Sequence, residues 1–143
     1  MAEVGLDSAR FVTAGCVLLG RDGAVRASFA GHPPGLIARA GGAVEEVPTT
    51  GQLLGLLEHL RISDVEAQLE PGDALVLYTD GVIEARREHE LFGEERLAAL
   101  LRDVGPRGLD ADAIADAIRE ATVAFAGAIE DDTAILVLRR PLA

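Results

Sequence analysis

The sequence contains no lysine and no tryptophan, and its 143 residues include one cysteine and four phenylalanines. With aromatics at only 3%, a core must be assembled from Leu, Val, Ile and Ala, which at 49% apolar content the chain supplies amply. The lone Cys16 excludes an internal disulfide and fits a reducing cytoplasm. No His or Arg stands beside it in FVTAGCVLLG to generate a thiolate, so it is not read as a nucleophile. No apolar run reaches the roughly 20 residues that cross a bilayer, and no charged-then-apolar leader opens the sequence. These absences predict a cytoplasmic protein that does not engage a membrane. Positive charge is also scarce: 13 basic residues, all Arg, face 24 acidic ones for a net charge of -11. Such a surface repels the phosphate backbone and excludes nucleic acid as a partner.

Familiar catalytic patterns are missing as well. The glycines at Gly41-Gly42, Gly51 and Gly55 form neither a P-loop nor a dinucleotide fingerprint. The serines, Ser8, Ser28 and Ser63, include no nucleophile elbow. His32, His59 and His89 have no second His or Cys at ligand spacing, and His32, ahead of two prolines, reads as a turn residue with a local hydrogen bond.

What is present is an ordered series of strands, then helices, then a strand. Phe11 to Leu19 reads as a buried strand, and Arg21-Asp22-Gly23 turns it into a second strand, Ala24 to Ala30. His32-Pro33-Pro34-Gly35 breaks the chain. Leu36 to Ala40 and Val44 to Val47 form a hairpin about Gly41-Gly42, and Pro48 to Leu57 is expected to be a loop that packs down. Val65 to Leu69 alternates polar and apolar. After the Pro71-Gly72-Asp73 turn, Ala74 to Thr79 is an almost unbroken apolar run, as in a strand covered on both faces. A helix is expected from Gly93, with Glu94 and Glu95 in its first turn, and another from Asp110, an N-cap. The second helix buries Ile114, Ile118, Ala121 and Phe125, which recur at helical spacing. Thr133 to Leu138 is the closing strand. The class is α+β with a mostly antiparallel sheet.

Two acids are singled out by position. Asp80 ends the strand ALVLYT and is followed by Gly81, where backbone could approach an ion closely; Asp131 immediately precedes the closing strand. Carboxylates at the mouths of buried strands suit hard cations. An Asp-Gly turn and an acidic strand cap are the plainer readings of the same residues.

The order of motifs carries more than any one of them. RFVTAGCVLL, FAGHPPGLI, LLGLL, LEPGDALVLYTDGVIEAR, LFGEERL and EDDTAILVLRR follow one another from Arg10 to Arg140. This succession resembles the C-terminal part of the SpoIIE/RsbU-like branch of the PPM (PP2C-like) metal-dependent protein serine/threonine phosphatases. The resemblance implies an α-β-β-α sandwich of two antiparallel sheets with helices on the outer faces. It implies hydrolysis of phosphoserine or phosphothreonine by water held between two Mn²⁺ or Mg²⁺ ions. Carried over by motif, Asp80 and Asp131 become metal ligands. Asp132 stands second in the closing D-D motif and supports the loop or the ion, and Gly81 lies beside the site. Gly31 and His32 match the family's A-G-H-P-P segment and are expected to be structural. The family's upstream G-D-x-x-G-x-G-like strand pair has no counterpart in the ten residues before Phe11, and Asp7 in VGLDSAR reads as linker rather than ligand. The expectation for residues 1–143 is therefore a single partial domain without the N-terminal strands. Its substrate when complete is a phosphorylated regulator of the anti-anti-sigma type, and alone it is inactive or weakly active. The alternative is a non-catalytic binding module that pairs with a phosphatase, an anti-sigma-type partner, a complementary segment or itself.

Overall fold

A computed structural model describes residues 10–129 and 131–142. Asp7 and Ser8, together with Glu130 of the EDD motif, lie outside the described residues. Two antiparallel sheets face each other. One has strand order β1-β2-β5, formed by β1 (Ala14–Leu19), β2 (Ala24–Ala30) and β5 (Val65–Gln68). The other runs β4-β3-β6-β9, formed by β4 (Val44–Val47), β3 (Gly35–Ala38), β6 (Ala74–Tyr78) and β9 (Ile135–Arg139). The expected fold class, antiparallel sheets face to face, is what the chain adopts. Helices α2 (Gly93–Val104) and α3 (Ala111–Ala126) cover the outer face of the four-stranded sheet. Among the described residues no helix covers the three-stranded one.

Strand alternation sorts the core into two layers. Val25, Ala27 and Phe29 of β2 meet Ile37, Val47, Leu75 and Leu77 between the sheets. On the opposite face of the four-stranded sheet, Leu36, Ala38, Val76 and Tyr78 pack under Leu97, Leu101, Ile114 and Ile118 of the helices. This explains why β6 is buried along its whole length: one face looks into each layer. Burying each Val, Leu or Ile side chain here contributes about 1.5–3 kcal/mol. Burial, with Glu94 and Glu46 nearby, pushes the Tyr78 phenol up to about 12, so it stays neutral at physiological pH and offers no acid-base function.

Two sequence expectations need correction. Phe11 to Leu19 was expected to be a buried strand; it becomes β1 only from Ala14, and it is an exposed edge. Phe11, Val12, Leu18 and Leu19 are all exposed, because among the described residues β1 has a neighbour on one side only. The Pro48–Leu57 loop is tied down at Gly51 and Leu54, which bridge to Ala30 and Val12, but Leu56 and Leu57 remain half exposed rather than packed. At the other sheet's edge, β9 pairs only with β6, and its Leu136, on the same face as Leu138, is 54% exposed. Both sheets therefore end, among the described residues, on a strand whose inward-facing side chains are incompletely covered.

The helices begin where their sequence signals lie. The Asp110 carboxylate accepts the Ala113 N–H at 2.8 Å and caps α3. Asp110→Ala should destabilise the domain by about 1 kcal/mol, the usual loss of an N-cap, as read from a urea midpoint that falls without a change in slope. A midpoint that does not move would show that tertiary packing alone starts this helix.

Candidate functional site

The loops after β6 and before β9 are held together by Thr79. Its N–H donates to the Ala134 carbonyl at 3.0 Å, and its Oγ1 accepts the Ala134 N–H at 2.9 Å. The ladder between β6 and β9 ends at Tyr78 paired with Ile135, so this clamp extends the sheet by one step and brings the two acidic segments side by side. One residue further, the backbone turns into α1 (Asp80–Ile83), closed by the Glu84 N–H on the Asp80 carbonyl.

Gly81 lies where the loops touch. A Cβ built there would sit 2.6 Å from the Asp132 carbonyl oxygen and 2.8 Å from Thr133 Oγ1, so the contact requires glycine. Asp131 is ordered by its own segment. Its Oδ1 accepts the Asp132 N–H at 2.8 Å, and its carbonyl accepts the Thr133 hydroxyl at 3.2 Å. Asp80, Asp131 and Asp132 are all exposed, with their carboxylates open to solvent.

The two acids open onto different hollows. Asp80 lines one of about 340 Å³ with Thr13, Gly31, His32, Thr49 and Glu94. Asp131 and Gly81 line one of about 180 Å³ with Glu84, Ala85, Arg86, Ala126 and Ala128. His32 behaves as a turn residue: its Nδ1 lies 2.8 Å from the Pro33 carbonyl, and its ring stacks on Phe29 at 5.5 Å. Its place beside the Asp80 hollow fits a structural role for the AGHPP segment.

The donor chemistry, carboxylate oxygens alone on two adjoining segments, one opening α1 and one leading into β9, suits Mg²⁺ or Mn²⁺. The number of donors does not suffice for a full shell: among the described residues no three or more His, Cys, Asp or Glu side chains form a cluster that could hold a metal ion. Three neighbours of the acids escaped the sequence reading. Thr79 and Arg86 stand inside the LEPGDALVLYTDGVIEAR stretch, where only Asp80 and Gly81 drew a role, and Glu94 was read only as a helix-start acid.

A sandwich of two antiparallel sheets, with an acidic loop at the end of a central strand meeting another at the start of its neighbour, is the architecture of PP2C-type phosphatase domains. The chain belongs to the family of stage II sporulation protein E (SpoIIE), whose model matches residues 2–141. Stage II sporulation protein E of Bacillus subtilis (strain 168) is 28% identical over 113 residues, covering 76% of this chain and 13% of that protein. The RsbU and RsbW domains of Rv1364c from Mycobacterium tuberculosis superpose with a TM-score of 0.76 at 26% identity, over 96% of this chain and 39% of that one. The manganese-soaked phosphatase domain of SpoIIE from Bacillus subtilis gives a TM-score of 0.67 at 26% identity, over 90% of this chain and 56% of that one. The chain thus spans little more than half of a solved phosphatase domain, and well under a fifth of the length of the curated relatives it matches. No described helix is long and apolar enough to cross a membrane.

Proposed function

We propose that this chain carries one half of a metal-dependent protein serine/threonine phosphatase site, with Asp80 and Asp131 as its ligands for Mn²⁺ or Mg²⁺. The observation that carries this reading is the Thr79 clamp, which holds the two acidic loops against each other at Gly81. Asp80 and Asp131 would bind the cations directly. Asp132 supports the loop: its N–H fixes the Asp131 carboxylate, and its carbonyl packs against Gly81. When bound, the ions would supply an activated water and neutralise phosphoryl oxygens. The chain's own residues hold the carboxylates on the segments that continue β6 and lead into β9, tied to each other by the Thr79–Ala134 clamp.

The substrate we assign is a phosphoserine or phosphothreonine of a bacterial regulator of the anti-anti-sigma type, in the cytoplasm. The family membership and the RsbU–RsbW pairing in the Mycobacterium tuberculosis relative support that assignment. Two ions need more ligands than two carboxylates. Completion by further strands on the free edges of β1 or β9 supplies both the missing donors and the missing cover. The same edges, unpaired among the described residues, and the exposed Leu19 and Leu136 favour a second reading, a binding module that pairs with a phosphatase, an anti-sigma-type protein or another copy.

Turnover separates the two. Residues 1–143 with Mn²⁺ should hydrolyse p-nitrophenyl phosphate near the background rate. The same chain fused behind a strand pair carrying a G-D-x-x-G-x-G-like motif should gain Mn²⁺-dependent activity. Vigorous hydrolysis by the unfused chain would show that the half-site account is wrong; a fused and folded chain with none would favour the binding module.

A further inference from the structure

We infer that Arg86 is a substrate-binding residue that takes the phosphoryl group of the phosphorylated partner at the wall of the hollow lined by Gly81 and Asp131. This rests on the phosphatase reading and deepens it by naming how an acidic molecule receives a doubly charged anion. The other residues of that hollow either repel such a ligand or are neutral: Asp131 and Glu84 are carboxylates, and Gly81, Ala85, Ala126 and Ala128 are small. Among the described residues Arg86 is its one cation. The space, about 180 Å³, is below the roughly 300–1,000 Å³ of pockets that enclose whole small molecules. It suits the end of one modified side chain presented by a larger partner.

The two arginines nearest to it in the fold, Arg87 and Arg96, are engaged elsewhere, and Arg119, which lines a separate hollow beside Asp131, pairs with Asp116 at 3.5 Å. Arg86 opens a small hairpin formed by β7 (Arg86–Arg87) and β8 (Glu90–Leu91), fixed by the pairing of Arg86 with Leu91 and by the Phe92 N–H on the Ala85 carbonyl. Arg87 and Arg96 both bond Glu90 Oε2, at 3.1 and 3.2 Å, and both guanidinium groups lie over the Phe125 ring, at 4.5 and 4.6 Å from its centroid. Their charge is shared with one carboxylate and one aromatic face. That cluster anchors the hairpin to α3, so Arg86 starts from a fixed backbone. Among the described residues its own guanidinium has no ion pair or hydrogen bond, and it is exposed on the hollow's side. A planar, permanently charged fork suits phosphate bidentately.

The test is titration of residues 1–143 with inorganic phosphate, with Mg²⁺ and again with chelator, by calorimetry and by the Arg86 Nε–Hε resonance. Wild type should bind saturably with that resonance shifting. Arg86→Ala should weaken binding about 10–100-fold, the range for a charge-assisted hydrogen bond. Arg86→Lys should recover part of the loss, since it restores charge without the fork. Arg107→Ala, which removes an equal charge paired with Asp103 in a surface ion pair, should bind as wild type does. Equal affinity in the Arg86→Ala variant, equal weakening by Arg107→Ala, or no phosphate binding by wild type would each overturn the inference. The phosphatase reading is judged separately, by cation binding at Asp80 and Asp131.

Discussion

Asp73→Ala should destabilise the domain by about 3–5 kcal/mol, as removal of one partner from a buried ion pair does. Asp73 is 2% exposed. Its Oδ2 accepts from Arg39 Nη1 at 2.7 Å and from the Glu70 N–H at 2.9 Å, while Oδ1 accepts the Ala40 N–H at 2.9 Å. One carboxylate thus joins the end of β3, the turn before β6 and, through Arg39, the end of β5 at the Gln68 carbonyl. Its removal strands the Arg39 guanidinium, left with Glu45 and one carbonyl, together with two backbone donors. For a chain of this length the melting temperature should fall by roughly 10–15 °C.

The same group sets an acid limit on stability. Burial alone would raise the Asp73 carboxyl, but the Ala40 N–H, the Arg39 guanidinium and the Glu70 N–H outweigh it and hold the folded state below the usual carboxylate range. A folded value below the unfolded one means that Asp73 stabilises fully above the unfolded value, near 3.9. This contribution is lost as pH falls from there through the folded value. Chemical denaturation at pH 7 and at pH 3 should therefore show a large gap between wild type and Asp73→Ala at neutral pH that narrows in acid. A gap that stays constant would mean that the carboxylate acts by shape alone.

The second large effect concerns the cation. Asp80→Asn and Asp131→Asn should each lower Mn²⁺ or Mg²⁺ affinity about a hundredfold, because each removes a full negative charge at contact distance from a divalent ion. The double variant should show no heat of binding by calorimetry, and Asp132→Asn should stay within a few-fold of wild type. Neither acid is buried, so these variants should keep the wild-type melting temperature without metal. Unchanged affinity in both single variants would remove the two ligand assignments. A loss at Asp132 equal to that at Asp131 would move Asp132 from the supporting role into direct coordination.

Much of this was legible in the chain itself. Apolar alternation and turn chemistry placed β2 and β4 at their observed bounds, the unbroken run from Ala74 announced a strand covered on both faces, and Asp110 announced α3. That the segments carrying Asp80 and Asp131 meet was not legible from spacing, since 50 residues separate the two acids; the resemblance implies one site for both, and the Thr79–Ala134 clamp is what ties the two segments together. Asp73 read as an ordinary turn residue because nothing local distinguishes a turn aspartate from one that meets an arginine 34 positions earlier. The hairpin that carries Arg86 has two-residue strands, too short for any period to register. The exposure of β1 was misread for a related reason: apolar composition records what a strand is suited to touch, and the described residues place nothing there.

That bare edge also governs how the molecule behaves in a crowd. Among the described residues, strand β1 has unpaired backbone donors and acceptors along one side and apolar side chains on both faces, a template on which the sheet of another copy can add. Against it acts a net charge of -11, a long-range colloidal repulsion that keeps copies apart. Added salt shortens that repulsion to a few ångströms while leaving the edge untouched. The balance between dispersion and precipitation in this chain therefore shifts with ionic strength.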